Sequence, residues 1–116
     1  MDENMVISMP RGDIRPIRFT VRDENGIVDE LELTEVYFTV KNKFKDETYL
    51  FQKRLSDGDI ERLDHNDYQF QINPEDTDDL KFGNYVFDIE LVGEGIKQTF
   101  VGTFTLTEEA TYASNE

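Results

Sequence analysis

Cysteine is absent from the 116 residues, which excludes disulfides, thiolate metal centres and a cysteine nucleophile. Histidine occurs once, at position 65, so no two-histidine metal site can be built. Its setting in "LDHNDY", among turn formers, reads as a solvated loop. No run approaches the ~20 apolar residues that a membrane span requires. The opening "MDENMVISMP" has acidic residues where a secretory leader needs a basic region, and no long apolar stretch follows, so the expectation is a soluble protein that no signal peptide exports. No glycine-rich phosphate loop precedes a helix, and no GxSxG or HExxH run is present. The expectation is therefore a non-enzyme with no cofactor.

Positive charge is also scarce. Twelve basic residues face 26 acidic ones, for a net charge of −14. Nucleic-acid binders gain affinity by neutralising phosphates with Lys and Arg, so this composition argues against nucleic acid as a partner. It also disfavours anionic membranes. The acidity serves either solubility alone or recognition of a basic partner surface.

The apolar residues recur with period two, the signature of half-buried strands. Ile17, Phe19 and Val21 alternate with Arg18, Thr20 and Arg22. A turn follows at Asp23 to Gly26, where Asn25 and Gly26 suit positive φ, and Leu31 and Leu33 suggest a short edge strand. Val36, Phe38 and Val40 alternate with Tyr37, Thr39 and Lys41. Tyr49, Phe51 and Leu55 mark a further strand, Ile60 to Leu63 a weak one, and Tyr68, Phe70 and Ile72 a clear one. Pro74 followed by carboxylates suits the first turn of a short helix, ending before Gly83. Tyr85, Phe87, Ile89 and Leu91 form the most regular face, and Gly93-Glu94-Gly95 closes a hairpin. Ile96, Phe100, Phe104 and Leu106 share the last face, with Gly102 as a bulge or close-packing point.

Seven or eight antiparallel strands with turn signals every 8 to 12 residues predict an all-β, immunoglobulin-like sandwich, with a small closed β-barrel as the alternative. Residues 1–10 read as a flexible N-terminus, 11–106 as one sandwich domain, and 107–116 as a flexible acidic tail. Tyr85 sits at the start of its strand after a short acidic turn. That is the placement of a tyrosine corner, with Phe87 where antibody domains keep their second cysteine; a plain core aromatic would look the same.

Three further patterns bear on function. Clustered oxygens at Asp23 to Asn25, Asp57 to Asp59 and Glu75 to Asp79 invite comparison with calcium loops, but none matches the twelve-residue EF-hand pattern, and turns favour these residues for backbone reasons. Arg11-Gly12-Asp13 spells an adhesion tripeptide. With Pro10 before it and a strand entry after it, it reads as a turn in which Gly12 supplies flexibility and Asp13 an acceptor. The basic residues gather at Arg11, Arg15, Arg18 and Arg22, and again at Lys41, Lys43 and Lys45. Both groups are candidate interface residues or else scattered solvated charges, and "KNKFKDE" reads as charge that blunts a sheet edge.

The order of these elements resembles the small β-sandwich modules of tailed-phage and prophage structural proteins, in particular the N-terminal domain of baseplate upper proteins. The resemblance rests on Gly12-Asp13 leading into Phe19-Thr20-Val21, the Asp23 to Gly26 turn, Val40-Lys41, the Pro74-Glu75-Asp76-Thr77, Leu80, Gly83, Tyr85 run, and Gly102 with Phe104. It spans residues 11 to 106. It implies a structural module that docks on other phage subunits, or on copies of itself, made in a bacterial cytoplasm and carried into the virion. Baseplate proteins continue into stalk or receptor-facing parts, whereas ten residues follow Leu106 here, so the station within the particle stays open. The alternative is a ligand-binding immunoglobulin-like module for carbohydrate or a cell surface, for which Tyr37, Tyr49 and Tyr112 are the candidate surface aromatics.

Overall fold

Alternating side chains build two sheets, seen in a computed structural model of the chain that describes residues 5–21, 33–63, 67–93 and 95–108. The elements run β1 (Met5–Pro10), β2 (Arg15–Thr20), β3 (Leu33–Lys41), β4 (Phe51–Arg54), β5 (Ile60–Arg62), β6 (Asp67–Ile72), α1 (Pro74–Thr77), β7 (Gly83–Gly93) and β8 (Ile96–Thr107). One sheet has the order β1-β8-β7-β3-β4 and the other β2-β6-β5. The two sheets are separate and do not close, which makes the protein a sandwich and not a barrel. The second, sixth and fifth strands face the third, seventh and eighth, which is the immunoglobulin arrangement.

Two expectations are corrected. Residues 5–10 are not a flexible N-terminus. Met5, Ile7 and Met9 alternate with outward residues, and Ile7 and Met9 are buried. Nor are the strands all antiparallel: β1 pairs with β8 in parallel, Met5 opposite Gly102 and Pro10 opposite Thr107. The chain crosses to the other sheet through the 11–14 turn, so β1 runs in the same direction as the last strand. At the far end Thr107 still belongs to β8. The proposed tail beyond residue 108 lies outside the described residues.

The core is aromatic. Phe38 on β3 packs against Phe70 at 4.4 Å and Phe87 at 5.3 Å between ring centroids. Phe19 stacks on Tyr68 from the second sheet's edge. Where an antibody domain packs a tryptophan on a disulfide, this chain packs phenylalanines on each other. Each contributes about 2–3 kcal/mol through burial, and pairs add about 1 kcal/mol. The sheet edges are short or interrupted: β4 has four residues and β5 three, while β1 ends in Pro10 and β2 carries Pro16. A proline has no N–H to offer an incoming strand, so these edges resist pairing with another chain.

Candidate functional site: a loop pole braced by the 74–82 corner

The registers place three connections at the same end of the sandwich. Pro10 lies opposite Thr107, Arg15 opposite Ile72, and Lys41 opposite Val86. Loops 11–14, 42–50 and 73–82 therefore meet at one pole.

Its hub is α1 and the corner after it. Asn73 precedes the helical turn, and Asp76 Oδ2 accepts the Asn73 N–H at 2.8 Å. The same oxygen lies 2.7 Å from Lys53 Nζ, with the two side chains only 15% and 11% exposed. That pair fastens β4, at the base of the 42–50 loop, to the helical turn. Loop 11–14 is fastened from the other side. The Gly12 N–H donates to Thr77 Oγ1 at 3.0 Å, Arg11 Nη1 donates to the Leu80 carbonyl at 3.2 Å, and the Arg11 guanidinium sits 4.4 Å from the Phe82 ring centroid. Gly12 has φ 86°, a left-handed conformation that glycine adopts without steric cost. The Arg11-Gly12-Asp13 tripeptide is thus a turn whose arginine is spent inside the molecule.

Tyr85 completes the brace. Its hydroxyl donates to the Lys81 carbonyl at 2.6 Å, four residues upstream, at the start of β7. This is the geometry of a tyrosine corner. Phe87, two residues on, is buried under Phe38. Gly83 starts the strand with φ 142°. Tyr85→Phe is expected to lower stability by about 1.5 kcal/mol, because the Lys81 carbonyl is left without its donor. A urea titration should show the midpoint fall while the slope stays unchanged.

The basic candidates scatter into separate roles. Arg15 Nη1 donates to the Ser8 carbonyl at 2.9 Å, and Arg18 pairs with Asp67 at 3.0 Å. Lys41 Nζ donates to the Asp46 carbonyl at 2.9 Å. Lys43 and Lys45 stand exposed on the 42–50 loop. Arg22, Asn25, Gly26 and His65 lie outside the described residues. The "KNKFKDE" segment does not blunt an edge. It leaves β3, which lies between β7 and β4, and forms the connecting loop.

Sequence reading named Tyr49 as a surface aromatic, although it also placed it on a strand, and missed the exposed Phe44 and Leu50 that this loop carries with it. Of nine exposed large hydrophobics among the described residues, five (Ile14, Phe44, Tyr49, Leu50 and Phe82) belong to the pole. Phe44 and Tyr49 are each 50% exposed. The signal was present in "KNKFKDETYL", whose aromatics fall out of strand phase. Tyr37, by contrast, is half-buried on β3 beneath the Arg54 guanidinium, and Tyr112 lies outside the described residues.

Elsewhere the chemistry is sparse. A cavity of about 310 Å³ opens toward the opposite pole, lined by Met5, Phe19, Val21, Ile89, Leu91 and Phe100. Glu35 braces the turn after β4. Partial burial acts to raise its pKa, but donors from Ser56 and the Val36 N–H, with Arg54 nearby, outweigh it and hold the carboxyl below its ordinary value. Asp88, on the outer face of β7, is pushed up by burial and by Glu90, with Lys41 opposing. Among the described residues, no three His, Cys, Asp or Glu side chains group to hold a metal ion, and no helix is long and apolar enough to cross a membrane.

No protein-family model matches the chain, and no curated protein matches it. Solved structures do. The endo-β-1,4-mannanase from Thermotoga petrophila is 14% identical over 89% of this chain, with a TM-score of 0.56. The match takes in 18% of the mannanase chain, so this protein spans less than a fifth of that enzyme's length. A chain named Tim-1 is 12% identical over 96% of this chain and 98% of its own, with a TM-score of 0.39. At 14% identity the mannanase likeness bears on the fold alone, and there it agrees with the sandwich.

Proposed function

We propose that the protein is a non-enzymatic structural or assembly module of a tailed phage or prophage, acting through protein–protein contacts made at the loop pole. One observation carries this reading: five exposed large hydrophobics gathered at one end of the sandwich, on loops pinned by Gly12–Thr77, Lys53–Asp76 and Tyr85–Lys81. Apolar groups on braced loops lose little entropy when a partner covers them, which favours a permanent contact. The phage setting comes from the likeness of residues 11 to 106 to baseplate modules. In that setting the chain works in a bacterial cytoplasm and then in the virion. The test is mass spectrometry of particles released by prophage induction of the source cells. The chain should be present at a copy number that matches a symmetric ring; its absence from particles that hold the other tail proteins would end this reading.

A carbohydrate-binding module is the second reading, favoured by Phe44 and Tyr49 exposed at the same pole. The mannanase neighbour makes mannan oligosaccharides the first probe. Calorimetric binding by a stable monomer, lost in Tyr49→Ala, would replace the structural reading with this one.

A further inference from the structure

Two surfaces of the sandwich differ in chemistry, and each keeps charged and apolar groups that contacts within the chain leave open or only partly engaged. The first is the tip of the 42–50 loop. Exposed Phe44 stands between exposed Lys43 and Lys45. Among the described residues neither lysine side chain has a hydrogen-bond or ion-pair partner, whereas Arg15, Arg18, Lys53 and Lys97 are all engaged. The loop is fixed from inside: Asp46 Oδ2 accepts the Lys43 N–H at 3.1 Å, and the Lys43 carbonyl accepts the Asp46 N–H at 3.1 Å. Asp46 thereby turns one carboxylate oxygen onto backbone instead of onto a lysine. This leaves the Lys43 and Lys45 ammonium groups on either side of Phe44 open to a partner, with the carboxylates of Asp46 and Glu47 following them in the loop.

The second surface is the outer face of the five-stranded sheet. Register sets Asp88 beside Val101 and Glu90 beside Thr99, with Val6 one strand further out. Val6 and Val101 are 65% and 44% exposed. No hydrogen bond among the described residues holds the Asp88 carboxylate, and its upward shift marks a carboxyl that a further cation would stabilise. Glu90 reaches Lys97 at 3.8 Å, at the surface.

We propose that the Lys43-Phe44-Lys45 tip of one copy docks on the Asp88–Glu90–Val101 face of the next, so that copies join head to tail. This rests on the reading of the chain as a structural subunit and names the occupant of the pole. Charge selects the pairing. Tip against tip brings lysines together, face against face brings carboxylates together, and only tip against face is complementary while also covering Phe44 with Val6 and Val101. The two patches differ, so the contact is heterologous and repeats into a ring or an open filament. The −14 charge of each copy repels at long range. At ~0.15 M salt that repulsion is screened beyond about 8 Å, whereas groups in contact still interact.

Sedimentation of the full chain tests the proposal with two variants. The tip variant is Lys43→Glu/Phe44→Ser/Lys45→Glu; the face variant is Asp88→Lys/Val101→Lys, with Val101→Lys alone as its milder form. The wild type should form species larger than a dimer as concentration rises. Each variant alone should run as a monomer, its self-association at least tenfold weaker. Mixed in equal amounts, the two should form a heterodimer and nothing larger, because each brings one intact surface. Circular dichroism melts establish that both variants are folded. A wild type that stays monomeric at ~1 mM, a variant that assembles like the wild type, or a mixture of folded variants that remains monomeric would each overturn the proposal. A monomeric chain recovered in phage particles would overturn head-to-tail docking and leave the structural role standing; assembly by a chain absent from particles would do the reverse.

Discussion

Asp76→Ala is expected to destabilise the protein by about 3–4 kcal/mol, the largest loss from any single charged residue here. Two effects add. The substitution removes the acceptor of the Asn73 N–H at the start of α1, worth about 1 kcal/mol as a lost cap. It also leaves the Lys53 ammonium, only 11% exposed and pointing from the inner face of β4, without its carboxylate. Removing one partner of a buried ion pair costs about 3–5 kcal/mol, because the remaining charge has no compensation. The partial exposure of this pair puts the loss at the lower end. Asp76→Asn separates the effects: its amide oxygen can still cap Asn73, but the charge is gone, so most of the loss should remain. Lys53→Met in the Asp76→Asn background should recover much of it, since no charge is then buried and the thioether fills the space of the lysine stem. Equilibrium urea denaturation of the wild type, Asp76→Asn, Lys53→Met and the double variant gives the coupling directly. A double variant no more stable than Asp76→Asn would mean that the pair contributes little beyond the cap.

Gly102→Ala should cost about 3 kcal/mol, at the upper end for overpacking a core, with a fall in Tm of roughly 10 °C for a domain of this size. Gly102 lies on β8 between β1 and β7, opposite Met5 on one side and Phe87 on the other. A methyl group there would press on the Met5 carbonyl oxygen and sit 2.6 Å from Phe87 Cζ. The ring belongs to the central aromatic cluster and is wedged by Phe38. The carbonyl is backbone, and it moves only if β1 moves. Phe87→Leu in the Gly102→Ala background should therefore restore part of the stability and not all of it. Hydrogen exchange separates the two contacts, because β1 is held in its sheet by β8 alone. Faster exchange confined to residues 5–10 would show that the strand peels away to make room; uniform loss across the sandwich would place the strain on Phe87.

How much of this was legible in the sequence varies from strand to strand, and for physical reasons. The faces of β2, β3, β6 and β7 were readable because each buries one side only, so apolar and polar residues alternate. Tyr85 was readable as a corner because it depends on a local offset, a turn followed by a strand. β1 was concealed. Met5, Ile7 and Met9 do alternate, but the acidic start and Pro10 look like a terminus, and the partner that orders them is β8, a parallel strand at the opposite end of the chain. Lys53 was invisible for a different reason: it holds a core-facing position between Phe51 and Leu55, and a charged residue is read as outward unless its counter-ion is known. Asp76, that counter-ion, lies in another sheet connection. The pole was the hardest feature, since Phe44 and Phe82 become a surface only when the registers bring their loops to the same end.

The parallel pairing of β1 with β8 also shapes how the protein is made. A strand near the start of the chain waits for one made about a hundred residues later, which at ribosomal speed is roughly 5–20 s. When β8 arrives it must enter between β1 and β7 instead of adding to an outer edge. Until then Ile7 and Met9 lack the strand that holds them in the sheet, and the edge of β7 that β8 will take is unpaired. Yield in cells should accordingly respond to translation rate and to chaperones that hold unfolded chains more than to the stability of the finished sandwich.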